Sequence, residues 1–96
     1  MRALVALLLA SLACGPIKST SLIIEADEEI GAARLAGADK IAPYEFISAE
    51  TYLHQARVEI GHSNYQAGLE YAAKAKDLAR EAHKKAGPDS KTRETR

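Results

Sequence analysis

An all-α fold is predicted for this chain: an N-terminal signal helix followed by a three-helix, alanine-rich bundle or repeat-like helical hairpin. Three observations predict it. Apolar residues recur at 3-4-3-4 spacing in three separate segments, which places them on one face of a helix each time. No window alternates with period two, the pattern of a half-buried strand. Alanine supplies 19 of the 45 apolar residues in 96, and the helical stripes it dominates let helix axes come close.

The length allows one domain at most. The chain carries 13 Lys+Arg against 13 Asp+Glu; zero net charge argues against a nucleic-acid binder, which would show a basic patch or stripe, and no nucleic-acid partner is expected. A single Cys excludes an internal disulfide and a cysteine-based zinc cage. With no Trp, one Phe and four Tyr, few large side chains are on hand to fill a core.

The N-terminus is the most distinctive stretch. Arg2 gives a short positive region, and Ala3 to Leu12 is apolar except for Ser11. Ten helical residues reach about 15 Å, against a hydrocarbon core of about 30 Å. The run is too short to span and has the proportions of a secretory apolar region. Ser11-Leu12-Ala13-Cys14 follows at once. Gly15 to Ser21 reads as a short tether, punctuated by Gly and Pro and rich in residues that favour turns and caps.

The first segment after the tether carries Ile23, Ala26, Ile30, Ala33 and Gly37 on one face. Glu25, Asp27, Glu28 and Glu29 crowd its start, where the helix dipole favours acids. Ser19, Thr20 or Ser21 can cap it, and it stops between Gly37 and Lys40. Pro43 then fits the first position of a second helix, striped by Phe46, Ala49, Leu53, Ala56 and Ile60 and ending near Gly61. The third helix is striped by Tyr65, Gly68, Ala72, Ala75, Ala79, Ala82 and Ala86. Glu70 with Lys74 and Glu81 with Lys85 form i,i+4 pairs on its outer side. Gly87-Pro88 stops it. Residues 89–96 hold no large apolar side chain and are expected to be disordered. The expected organisation is therefore a signal peptide over 1–13, Cys14 and tether over 14–21, a helical domain over 22–86 and a tail over 87–96. Helices are expected over about 22–38, 43–61 and 65–86.

Three resemblances attach to these residues. Ala13 and Cys14, behind the apolar run, resemble the lipobox of bacterial lipoproteins, with Leu12 and Ser11 in swapped order. The resemblance implies a diacylglycerol thioether and an N-acyl chain on Cys14, and Gly15 after it points to the outer membrane. Ser11-x-Ala13 also suits the ordinary signal peptidase, which would leave the Cys bare. Gly37-Ala38, Ala42-Pro43 with Glu45, Ala49, Leu53, Ala56, Tyr65, Ala72, Ala75, Leu78-Ala79 and Ala82 resemble an alanine-rich domain of unknown function. That domain is found in small proteobacterial envelope lipoproteins, some of which continue into an OmpA-like part. Gly68, Leu69, Tyr71 and Ala75 also look like the second half of a tetratricopeptide repeat.

No catalytic constellation is visible, and no cofactor or metal is expected. Glu59-x-x-His62 has di-iron spacing, but such sites need two such motifs and two further Glu. All five aromatics lie around the second helix and the turn after it. Tyr52 and Tyr65, with Arg57, are the candidate contacts for a protein partner, since Tyr and Arg are enriched at interface hot spots. The expected function is a non-catalytic outer-membrane lipoprotein facing the periplasm. It would act as an adaptor or scaffold for another envelope protein, joined to membrane lipid through Cys14. The alternatives are a self-associating coiled-coil protein and a metal-binding accessory protein.

Overall fold

The computed structural model describes the backbone of residues 2–87 and the side chains of residues 18–87. It is all-α, with no strand among the described residues. The elements are α1 (Arg2–Leu35), α2 (Ala38–Ile41), α3 (Pro43–Gly61) and α4 (Tyr65–Ala86). Helix α4 packs along both α1 and α3, and the core runs down that double seam.

The alanine stripes explain the packing. Ala72, Ala75, Ala79, Ala82 and Ala86 of α4 are all fully buried. So are Ala26 and Ala33 of α1, and Ala49 and Ala56 of α3. Methyl groups let helix axes approach closely, so dispersion contacts replace bulk. Ile30, Phe46 and Leu53 are the large buried side chains, with Tyr52 and Leu78 packed at the edges. Gly68 shows how close the helices come. A Cβ there would lie 2.5 Å from the Ile60 side chain.

Helices α3 and α4 begin and end where the sequence signals stand. Pro43 opens α3, where its missing N–H is no loss. The first-turn Glu45 suits the dipole. His83, Lys84 and Lys85 close α4 before Gly87, whose positive φ of 82° favours glycine.

The first helix differs from expectation. The tether over 14–21 is helical backbone, continuous from the apolar run into the bundle. Pro16 lacks the N–H that would bond a preceding carbonyl, a local loss of roughly 3 kcal/mol. The helix is sustained by the Ala/Leu-rich turns before it and by a tertiary anchor after it. That anchor is Ser19, 1% exposed, whose hydroxyl donates to the Tyr65 carbonyl at 3.2 Å. Ser19 is therefore a buried packing residue inside α1 rather than a cap. Cys14 lies on the α1 backbone, with its side chain outside the described side chains, and residues 88–96 lie outside the described residues.

Helix α1 stops at Leu35, earlier than the expected 38, because Gly37 takes a left-handed φ of 83°. Ala36 rather than Gly37 completes the buried stripe. The single turn α2 follows, burying Ala38. Tyr65 and Ile60, expected on stripes, are only partly covered at the α3–α4 turn.

Charges cross the seams between helices. Lys76 reaches Glu25 at 3.0 Å and Arg80 reaches Glu29 at 3.3 Å, which ties α4 to α1 in parallel. Lys85 pairs with Glu45 of α3 rather than with Glu81. Lys74 lies 4.8 Å over the Tyr52 ring rather than on Glu70.

Two outcomes test this packing. Ala75→Leu should cost roughly 1–3 kcal/mol by forcing the axes apart. Ala73→Leu, off the buried stripe, should be nearly neutral, and equal melting temperatures would refute the seam. The second outcome concerns pH. The hydrogen bond from Lys85, together with its own backbone N–H, holds Glu45 below the ordinary value of 4.5. The same hydrogen bond holds Lys85 above its ordinary 10.5. A lowered acid contributes fully above its unfolded value and loses that contribution as pH falls through the folded one. A raised base contributes fully below its unfolded value and loses it as pH rises through the folded one. Stability melts at stepped pH should therefore show a shallower acid decline for Glu45→Gln than for the parent chain. Identical acid slopes would refute the pair.

Candidate functional site

Three residues single themselves out in the sequence as partner contacts, and they occupy three different surfaces. Tyr52 faces α4, where its ring stacks on Tyr71 with centroids 5.9 Å apart and planes at 26°. Arg57 faces α1 and reaches Asp27 at 3.7 Å. Tyr65 sits at the α3–α4 turn, 37% exposed, in a shallow depression with Asn64, Gln66 and Glu70. The reason for the split is angular. Positions 52 and 57 differ by five residues, about 140° around a helix. Tyr52 is thus a clamp between helices, and Arg57 belongs to another site.

That site is a groove of about 230 Å³ between α1 and α3, on the side that α4 does not occupy. Ile30 and Leu53, each 4% exposed, form its apolar floor. Gly31 leaves the α1 wall open, for a Cβ there would meet nothing within 4 Å. His54 lines the α3 wall. An ion pair closes each end. Arg57 and Asp27 stand at one, and Arg34 and Glu50 stand 2.9 Å apart at the other. Arg34 also lies 5.3 Å over the Phe46 ring, which fixes its guanidinium.

The pairs reveal how the helices run. Residues 27 and 34 of α1 face 57 and 50 of α3, so the two are antiparallel. Each helix carries an acid and, seven residues on, an arginine. The underlying signal is a 23-residue internal repeat. Ile24-x-Ala26-Asp27-x-x-Ile30-x-x-Ala33-Arg34-Leu35 recurs as Ile47-x-Ala49-Glu50-x-x-Leu53-x-x-Ala56-Arg57-Val58. Reading only the buried stripes hides it, because half of its members face solvent.

The chemistry available is recognition. Both carboxylates in the groove are engaged by guanidinium groups. Among the described residues, no three His, Cys, Asp or Glu side chains are grouped so as to hold a metal ion. Glu59, half of the Glu59-x-x-His62 motif, accepts hydrogen bonds from Asn64 at 2.9 Å and Gln55 at 3.3 Å. It organises the turn in which Ser63 takes a left-handed φ of 63°.

No family model matches this chain, and no curated protein or solved structure matches it.

Tyr52→Ala should lower stability by about 1–3 kcal/mol, through lost burial and a lost ring pair. Tyr65→Ala should cost less, because its anchoring contact with Ser19 is made by backbone. Denaturant titration of both variants checks this, and a larger loss at Tyr65 would reverse the assignment.

Proposed function

We propose that this chain is a small cell-envelope lipoprotein, held in the outer membrane through acylated Cys14 and facing the periplasm. Its helical bundle would act as a non-catalytic adaptor or scaffold for another envelope protein. The observation that carries the reading is the place of the sole Cys. It follows a positive Arg2, an apolar run broken only by Ser11 and a small Ala13, an arrangement that resembles a lipidation signal apart from the swapped order of Ser11 and Leu12. Among the described residues no helix is long and apolar enough to cross a membrane; in this reading the lipid on Cys14 is the attachment. More than one acyl chain is needed for stable anchoring, since each buried CH₂ contributes about 0.8 kcal/mol.

The helical course of α1 gives this reading a geometry. Cys14 stands five residues before Ser19, about 7.5 Å along the helix. An acylated Cys14 would hold the bundle close to the headgroups, with the α3–α4 turn toward the lipid and α2 away from it. The groove between α1 and α3 would then face sideways, open to other proteins at the membrane surface. The metal-binding alternative is the weaker reading, since Glu59 is already engaged by Asn64 and Gln55.

The intact mass of the mature protein, together with cell fractionation, tests the anchor. The expected product begins at Cys14, carries lipid and stays with the outer membrane through washing. Cys14→Ser should be released to the periplasm or remain uncleaved. A mature mass equal to the bare chain from Cys14 would refute lipidation and favour the ordinary signal peptidase. Crosslinking in intact cells, with identification of the trapped protein, tests the adaptor role.

A further inference from the structure

The face shared by α1 and α3 has features that the anchor does not use. Apolar side chains stand exposed along both shoulders of the groove. Ile24 is 54% exposed and Leu35 71% on α1, and Ile47 is 59% exposed on α3, where Val58 follows. On α3 they belong to a second stripe, Tyr44, Ile47, Thr51, His54 and Val58, at the same 3-4-3-4 spacing as the buried one and on the opposite side of the helix. Tyr44, Ile47 and Val58 are its apolar members, with Thr51 and His54 between them, and large apolar side chains facing water at helical spacing suit a surface that packs against another helix.

The charges name the occupant. Asp27 and Arg57 stand at one end of the groove, Arg34 and Glu50 at the other, and signs alternate around the four corners. A second copy laid face to face is related by a two-fold axis lying in the contact plane. With the axis along the helices, Asp27 of one copy meets Arg57 of the other, and Arg34 meets Glu50. With the axis across them, Asp27 meets Arg34, and Glu50 meets Arg57. Every corner meets its opposite in both cases. A face with one sign on each helix would pass the first arrangement and fail the second. The 23-residue repeat relates the two helices by a local two-fold, so apolar shoulders also meet apolar shoulders either way.

We propose that the α1–α3 face is a self-complementary docking surface whose occupant is the same face of a second copy of this chain. The four helices would form an antiparallel bundle over the groove, with Gly31 giving room for close approach. Residues 18–35 of α1 and all of α3 are each about 25–28 Å long, and two helices side by side span about 20 Å. Contact would bury about 1,000–1,100 Å² over both copies, at the lower edge of specific interfaces. A reversible equilibrium between one copy and two is the expected behaviour. The pairing rests on residues 24–58 and is independent of the lipid on Cys14.

The test is the mass of the full chain in a non-denaturing detergent, by sedimentation, with two charge variants. Arg34→Glu with Arg57→Glu makes the groove wholly acidic, and Asp27→Arg with Glu50→Arg makes it wholly basic. All four side chains are about half exposed, which spares the core, and circular dichroism verifies folding. The parent chain should dimerise, each variant alone should be at least about tenfold weaker, and the equimolar mixture should restore dimers. Ile47→Lys, a single change at an exposed position, should also dissociate the parent dimer and supplies the test if a charge variant misfolds. A parent chain that stays monomeric up to about 1 mM would overturn the proposal. So would a dimer that survives every variant, because association would then run through another surface. Failure of the lipid anchor shows instead in the mass of the mature chain, so the two readings fall separately.

Discussion

Close approach of helices along alanine is the constraint on which the rest of this structure depends. Five alanines and Gly68 on one side of α4 are buried, and they receive α1 on one flank and α3 on the other. An alanine methyl removes far less apolar area from water than a leucine, whose full burial is worth about 1.5–3 kcal/mol. The large contributions therefore fall to a few side chains, Ile30, Phe46 and Leu53 foremost. A chain with 70 residues in its bundle, 18–87, sits near the lower limit for independent folding. The seam compensates through density, because short interaxial distances multiply weak dispersion contacts. It also brings the helix flanks near enough for Lys76, Arg80 and Lys85 to reach carboxylates on neighbouring helices.

The same constraint leaves one side of the molecule open. With α4 seated on one side of α1 and α3, the other side has no fourth helix, and the groove over Ile30 and Leu53 is the result. Exposed Ile24, Leu35 and Ile47 fall, by helical spacing, on the outer sides of α1 and α3 beyond it. In a larger bundle these positions would be core. Here they are the molecule's surplus of apolar surface, and the ion pairs at either end keep that surplus directional.

The sequence shows α3 and α4 clearly because their boundaries are set locally. Pro43 can only begin a helix, Gly87 can take the positive φ that ends one, and the alanine spacing fixes the buried face. The start of α1 is hidden for the opposite reason. Gly15, Pro16 and three hydroxyl residues argue locally for a loop, and the helical turns before them together with the packing of Ser19 on the α4 start carry the helix through. Tyr52 and Arg57 look like one patch in the sequence, since both lie on α3. About 140° of rotation separates them, and each is claimed by a different neighbouring helix. The groove was encoded all along in the 23-residue repeat. Its meaning depends on antiparallel pairing, which no local signal declares.

Charge order decides that pairing. Asp27 and Arg34 on α1, and Glu50 and Arg57 on α3, each run acid to base along the chain. Two such helices match when antiparallel and clash when parallel, since Asp27 would then lie beside Glu50 and Arg34 beside Arg57. The α1–α4 contact is different. Glu25 and Glu29 on one helix face Lys76 and Arg80 on the other, one sign per helix, and such a pair attracts in either direction. Its parallel course must come from connectivity, because antiparallel α1–α3 and a short turn into α4 leave no other choice. Exposed pairs contribute only about 0–1 kcal/mol each, too little to hold the bundle together. Their weight lies in the difference between arrangements, where attraction at two corners becomes repulsion at the same two. The alanine seam makes helices stick. The acid-to-base order on α1 and α3 determines which way they run, and by the same alternation makes their outer face a match for its own copy.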